Sequence, residues 1–194
     1  MRIVLATRNA GKIAELRRIL DFDIVGLEAF PEIGDVKETG LTFAENALLK
    51  AHAVAQQSGL PAVADDSGLC VDALNGMPGI FSARWSGRHG DDQANLDLLL
   101  AQISDVPAEH RGGAFVCAAA LALPDGQERV VEGVLRGTVI SGPRGTGGFG
   151  YDPIFVPEGS ERTTAELTAA EKDAISHRGL AFRALVPVVR EVLT

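Results

Sequence analysis

The sequence predicts an α/β fold: an elongated mixed β-sheet flanked by helices and divided into two lobes with a central cleft. Three features carry that expectation. The first residues read as strand, loop, helix and strand in quick succession, a usual opening for a mixed sheet. A helix with a clear capping signal at Thr42 then leads to a short apolar strand ahead of Asp65. In the middle of the chain two long apolar segments flank Pro124-Asp125-Gly126, and Asp-Gly between such runs is a strong hairpin signal.

Taken in order, Arg2 to Ala6 form a short buried strand. Thr7-Arg8-Asn9-Ala10-Gly11-Lys12 then leads into an amphipathic helix ending near Leu20, with Ile13, Leu16, Ile19 and Leu20 on one face. A second strand follows over Phe22 to Leu27. Thr42 and Glu45 have capping-box spacing, and Phe43, Ala47, Ala51 and Val54 recur at helical spacing behind them. Asn46 and Lys50, four apart, share a different, polar face. Pro61-Ala62-Val63-Ala64 reads as a short strand running into Asp65-Asp66-Ser67-Gly68. A helix from about Asp91 to Ile103 buries Leu96, Leu99, Leu100 and Ile103. The hairpin strands cover Ala114 to Leu123 and Arg129 to Ile140. After the glycine-dense run Gly142 to Gly150 comes a strand over Ile154 to Val156. Thr168 and Glu171 form a second capping box, and a helix from Ser176 to Leu193 bends at Pro187, where an intrahelical bond is lost.

The chain has 194 residues, 46% of them hydrophobic and 23% charged, and its 26 acidic against 18 basic side chains give a net charge of −8. At this size roughly 70% of the unfolded surface can be buried, so one domain over residues 1–194 needs no disulfide or metal staple. Cys70 and Cys117 form no CxxC pair and no zinc-ligand spacing, which fits a reduced, cytoplasmic chain. No signal-peptide pattern follows Met1-Arg2. The longest apolar stretch, Ala114 to Leu123, is about half of the ~20 residues a membrane-spanning helix needs, so no membrane partner is expected. A net negative chain with 5% aromatics also lacks the basic stripe and stacking platforms that a nucleic acid requires. Any phosphate must therefore be held by local features.

Several local features could do so. Asp65 and Asp66 stand at what reads as a strand end, where α/β sheets build sites, and adjacent carboxylates call for a cation such as Mg²⁺ or for donors. The same Asp-Asp-Ser-Gly residues also make an ordinary turn. Glu38, just ahead of the capped helix, could sit near a cation or simply be exposed. Thr7 to Lys12 places backbone N–H groups at a helix start, where they suit an anion, though it has no Walker A spacing and also fits a plain connection with a solvated lysine. Lys50 could reach a phosphate or extend into water. The Gly142 to Gly150 run permits close approach to a ligand, and Phe149 could stack on a planar base; a flexible surface loop is the plainer reading. Ser176-His177-Arg178 offers donors to a base carbonyl, or an exposed helix start capped by Ser176. Ser–His–Asp, HExxH and zinc-ligand patterns are missing.

In combination these segments resemble one family. Thr7-x-Asn9-x-x-Lys12, Glu38-Thr39-Gly40-x-Thr42-Phe43-x-Glu45-Asn46-Ala47 and Ala64-Asp65-Asp66-Ser67-Gly68-Leu69 come first, followed by Pro78-Gly79-x-x-Ser82-Ala83-Arg84, Gly147-Gly148-Phe149-Gly150-Tyr151-Asp152-Pro153 and Ser176-His177-Arg178. The series is similar to that of the inosine triphosphate pyrophosphatase (Ham1-like) family, with Arg8 and Trp85 as minor departures. The resemblance implies hydrolysis of non-standard purine nucleoside triphosphates to the monophosphate and pyrophosphate by a Mg²⁺-dependent, cytoplasmic homodimer whose central cleft is the active site. It implies Glu38 and Asp66 as metal ligands, Asp66 also as base, and Lys50 as a catalytic neutraliser of phosphate charge. Thr7, Arg8, Asn9, Ala10, Gly11, Lys12 and Ser67 would bind the triphosphate. Phe149 would stack on the base, with Gly150, Tyr151, Asp152, Lys172, His177 and Arg178 around it. Two rivals remain: a Maf-like nucleotide pyrophosphatase of different base specificity, against which the Phe149 loop and Ser176-His177-Arg178 argue, and a non-catalytic purine-binding module, which would have little need of paired carboxylates.

Overall fold

The structure, a computed structural model, describes residues 2–9, 12, 13, 16 and 22–193. Ala10 and Gly11 of the expected phosphate loop, and Ile19 and Leu20 of the first expected helix, lie outside the described residues; Lys12, Ile13 and Leu16 are helical. The described elements are β1 (Arg2–Leu5), β2 (Asp23–Gly26), α1 (Phe43–Ser58), β3 (Ala62–Val71), α2 (Asp92–Gln102), β4 (Gly112–Ala122), β5 (Glu128–Val139), β6 (Phe155–Pro157), α3 (Ala169–Ile175) and α4 (His177–Leu193), joined by loops and short 3₁₀ turns. The strands form one mixed sheet in the order β2-β1-β3-β4-β5-β6. β1 pairs in parallel with β2, Ile3 opposite Ile24, and with β3, Leu5 opposite Val63. β6 closes antiparallel on β5, with Thr138 opposite Val156.

The chain divides into two compact units, unit 1 from Met1–Asp66, Cys117–Gly133 and Arg178–Thr194, and unit 2 from Ser67–Val116 and Val134–His177. In unit 1 strand alternation sends side chains to opposite sheet faces. Ala62, Ala64, Ala118, Ala120 and Ala122 pack on one face against Ala47, Ala51, Val54 and Ala55 of α1. Val63, Cys117, Ala119 and Leu121 pack on the other against Ala181, Phe182, Leu185 and Val189 of α4. Both faces are covered, which is why the hairpin strand reads as an unbroken apolar run. Thr42 caps α1 through its hydroxyl, which accepts the Glu45 N–H, while the Glu45 carboxylate takes the Leu41 N–H rather than that of Thr42. Gly59, at φ 69°, ends the helix in the left-handed conformation that glycine tolerates best.

Unit 2 is built around Leu69, Val71, Leu96, Leu99, Ile103, Phe115, Ile154 and Phe155. At Gly68 an added Cβ would overlap the Gly79 carbonyl oxygen and Ser82 Oγ. Ser82 Oγ donates to Gly79 O at 2.7 Å and accepts the Leu69 N–H at 2.9 Å, and Ser82 O accepts the Tyr151 hydroxyl at 2.9 Å.

Some expected elements shift. Asp65-Asp66-Ser67-Gly68 lies inside β3, not in a turn beyond a strand. The turn preference of these residues gives way because β1 and β4 flank β3 in the sheet and each carboxylate has cationic partners. Ile154 falls in a 3₁₀ turn with Pro153, which has no ladder N–H to give, so β6 starts at Phe155. Ser176 ends α3, its N–H donating to Lys172 O, and the last helix starts at His177 with Pro187 inside it. Replacing Gly68 by alanine should lower stability by about 1–3 kcal/mol through overpacking; an unchanged urea midpoint for that variant would refute the close fit at Ser82.

Candidate active site

The pleat of β3 organises unit 1 chemically. Because neighbouring side chains on a strand point to opposite faces, Asp65 follows Val63 and Asp66 follows Ala64. Each carboxylate therefore meets its own set of donors. Asp65 Oδ2 accepts from Lys12 Nζ at 2.9 Å and from Arg178 Nε at 3.1 Å, with the Cys117 thiol at 4.0 Å. Asp65 and Arg178 are each only 2% exposed. Burial pushes the Asp65 carboxyl upward, but Lys12, Arg178 and Lys50 overcome this and hold it well below the usual carboxylate range.

Asp66 faces α1. Its Oδ2 accepts from Asn46 Nδ2 at 3.0 Å, and its Oδ1 lies 3.8 Å from Lys50 Nζ. Lys50 Nζ also donates to Glu38 Oε1 at 2.6 Å. Asn46 Oδ1 accepts the Gly40 N–H at 2.8 Å, pinning the Glu38-Thr39-Gly40 segment beside the acid. Burial raises the Asp66 carboxyl, Lys50 opposes this, and Glu38 adds to the rise, leaving it above the usual range. At Lys50 burial disfavours the charge, yet Asp66, Asp65 and Glu38 together raise its pKa. Neither the solvated Lys50 nor the freely exposed Glu38 allowed by the sequence is observed: both are largely buried against each other.

The first loop is held by its own side chains. Thr7 Oγ1 accepts the Asn9 N–H, and Asn9 Oδ1 accepts the Lys12 N–H, a cap at the helix start. Arg8 reaches the Ile33 carbonyl at 2.5 Å and Asp35 at 3.4 Å.

In unit 2 the glycine-dense segment is hydrogen-bonded to its surroundings. Gly147 N–H donates to Ala165 O, Phe149 N–H to Asp152 Oδ2 at 2.8 Å and Gly150 N–H to Asp92 Oδ2 at 2.9 Å. Buried Asp152 also accepts from Lys172 Nζ at 2.5 Å and from the Thr164 hydroxyl at 2.7 Å. Lys172 Nζ lies 5.1 Å from the centroid of the Phe149 ring, which is 39% exposed. Tyr151 turns its hydroxyl inward to Ser82 O, and burial, followed by the charge of Asp92, pushes its pKa up. His177 stacks on Phe115 with centroids 4.9 Å apart and planes 13° apart. His177 and Arg178 are thus buried, not an exposed helix start. Ser67 sits half-buried in β3.

Within unit 1, then, Lys12 and Arg178 meet on Asp65, while Glu38, Lys50 and Asp66 meet beside Asn46; within unit 2, Phe149, Asp152 and Lys172 meet. Asp65, Asn46 and Asp92 hold these groups in place; of the three the sequence singled out Asp65, as half of a carboxylate pair, and gave Asn46 and Asp92 no role. The four-residue spacing of Asn46 and Lys50 was the available signal for one of them. Among the described residues no cluster of three or more His, Cys, Asp or Glu side chains gathers as a metal cage. Glu38 and Asp66, sharing one ammonium, supply two hard oxygen donors of the kind that partners a divalent cation together with phosphate.

The sequence model of the Ham1 family matches residues 3–188. A protein of Streptomyces coelicolor named dITP/XTP pyrophosphatase is 75% identical, over 99% of this chain and 98% of its own length. A solved Mycobacterium abscessus structure, described as a nucleoside-triphosphatase / dITP/XTP pyrophosphatase, is 59% identical with a TM-score of 0.81, covering 96% of this chain and 100% of that one. A Ham1 protein from Coxiella burnetii is 42% identical with a TM-score of 0.90, covering 98% and 99%.

The two acids should respond oppositely to neutralisation. Asp65→Asn leaves Arg178 and Lys12 without their counter-charge and should cost about 3–5 kcal/mol. Asp66→Asn removes an anion that its surroundings disfavour and should leave stability equal or higher. Denaturant unfolding of both variants checks this; equal losses would contradict the opposed environments.

Proposed function

Because the chain belongs to the Ham1 family, we propose that it hydrolyses non-canonical purine nucleoside triphosphates, those of inosine, deoxyinosine and xanthosine, to the nucleoside monophosphate and pyrophosphate. The activity named for the Streptomyces relative supports this substrate class. The observation that carries the chemistry is the arrangement of Glu38 and Asp66 about Lys50, at 2.6 and 3.8 Å from its nitrogen.

In the reaction a water oxygen bonds to the α-phosphorus, and the bond from that phosphorus to the α–β bridging oxygen breaks, the oxygen leaving on pyrophosphate. The protein must orient the water, accept its proton and stabilise charge on the phosphoryl oxygens. Asp66 is assigned the first two tasks, because Asn46 fixes the orientation of its carboxylate and Lys50 lies beside it. Lys50, kept charged by three carboxylates, stabilises the developing phosphate charge. Glu38 and Asp66 fit Mg²⁺ by their donor chemistry, and the ion when bound supplies charge neutralisation and water acidification. Thr7 to Lys12 and Ser67 are assigned to the triphosphate.

Phe149 to Asp152, Lys172, His177 and Arg178 are assigned to the purine. Hypoxanthine and xanthine present a carbonyl at position 6, where adenine presents an amino donor. Protein donors directed there accept the first pair and leave adenine with a buried donor–donor clash.

We further infer one catalytic domain over residues 1–194, acting as a cytoplasmic homodimer on free nucleotides. Cys70 and Cys117, both thiols outside any disulfide, support a reducing compartment. Among the described residues no helix is long and apolar enough to cross a membrane.

With Mg²⁺ and a panel of inosine, xanthosine, guanosine and adenosine triphosphates, pyrophosphate should appear mainly from the first two. Release of single phosphate would indicate γ attack and overturn the reaction class. Asp66→Asn should reduce kcat by about 10²–10⁴-fold while the thermal midpoint holds; near-wild-type turnover would remove Asp66 from its role.

A further inference from the structure

We propose that Asp92, at the start of α2, is a positioning residue that sets the direction of the Phe149 ring; this rests on the reading of Phe149 as the base-stacking residue. The Cα of Phe149 lies between two peptide planes. The N–H of the first, that of Phe149 itself, is held by Asp152 Oδ2 at 2.8 Å, and the N–H of the second, that of Gly150, is held by Asp92 Oδ2 at 2.9 Å. Two peptide planes fix φ and ψ at the residue between them, and with them the Cα–Cβ direction. The two acceptors come from separate elements, so together they aim this side chain. Asp152 is also the anchor for Lys172, which sits over the ring.

The ordinary explanation of Asp92 is a first-turn acid complementing the helix dipole. The capping task at this helix is already filled by Asp91, whose Oδ1 accepts the Ala94 N–H at 3.2 Å. Asp92 instead reaches across sequence to Gly150. Packing would not hold the loop there unaided, because a crevice of about 210 Å³, lined by residues including Asp92, Leu96, Thr146, Phe149 and Pro153, lies between helix and loop. The left-handed glycines Gly148 and Gly150, at φ 73° and 62°, give the backbone around Phe149 the widest choice of alternatives. A tether at Gly150 selects one of them.

The role requires an acceptor, not a charge, so Asp92→Asn should preserve most of it and Asp92→Ala should lose it. Asp92 is exposed, and neither change disturbs the core. Hydrogen exchange of the peptide carrying Gly150 tests the tether without substrate: exchange should rise about tenfold or more in Asp92→Ala and stay near wild type in Asp92→Asn. With xanthosine triphosphate, Asp92→Ala should raise KM about 5- to 20-fold through a misdirected aromatic stack, with kcat within about threefold; Asp92→Asn should keep KM near wild type. Unchanged exchange in Asp92→Ala, a loss confined to kcat, or equal effects of Ala and Asn would each overturn the proposal. A wild-type protein that releases no pyrophosphate from any of the four nucleotides would overturn the proposed function instead, and the exchange data would still decide the tether.

Discussion

An ionised carboxylate with 2% of its surface exposed is the constraint around which unit 1 is arranged. Asp65 sits in a central strand, and a charge so placed is tolerated only with close compensating partners. Those partners come from the first helical residues, through Lys12, and from the start of the last helix, through Arg178. Both are far from Asp65 in sequence, so the ion cluster forms only when the ends of the chain have packed around β3. Arg178 can reach Asp65 because Ala181, Phe182 and Leu185 seat α4 on the same sheet face. The apolar contacts supply the driving force, and the charge cluster forms within the frame they set.

The same pleat separates the two acids by environment. With Asp65 ionised and compensated, Asp66 on the opposite face has a different electrostatic balance: Lys50 favours its charge, and burial and Glu38 oppose it. The neighbouring compensated acid, Asp65, provides the stable framework beside which this less favoured charge persists. Unit 2 uses a similar division between framework and contact residues. Ser82 binds Gly79, Leu69 and Tyr151 in the interior, while the adjacent Phe149 keeps an exposed ring. The chain passes from unit 1 to unit 2 between Asp66 and Ser67 and returns between His177 and Arg178, so neighbouring residues in these motifs belong to different units.

What could be seen in the sequence were features with local causes. The Thr42 cap, the Asp-Gly hairpin turn and the Thr168–Glu171 box each involve residues a few positions apart, and all three appear in the structure. The family motifs also marked most of the residues that the structure gathers in clusters. Features with long-range causes were hidden. Asp65-Asp66-Ser67-Gly68 has turn composition, and only flanking strands and distant cations make it a strand. Lys50 on a polar helix face looks solvated until Glu38 and Asp66 arrive from elsewhere. Asp92 carries no local signal, because nothing near it in sequence shows that its oxygen meets the Gly150 amide.

The net charge of −8 takes a different meaning once the cations are located. Lys12 and Arg178 rest on Asp65, Lys50 on Glu38 and Asp66, and Lys172 on Asp152, so the cations assigned to substrate are held by carboxylates instead of exposed as a basic field. Such an arrangement does little to attract a long polyanion from a distance, since each positive charge is compensated within a few ångströms. At short range it is effective, because the charges are already desolvated and oriented, and preorganised groups need little rearrangement as phosphate charge develops. On the function proposed above, the acidic surface and the internal cations therefore select together for a compact anion that enters the site and against a nucleic acid that must lie along a surface.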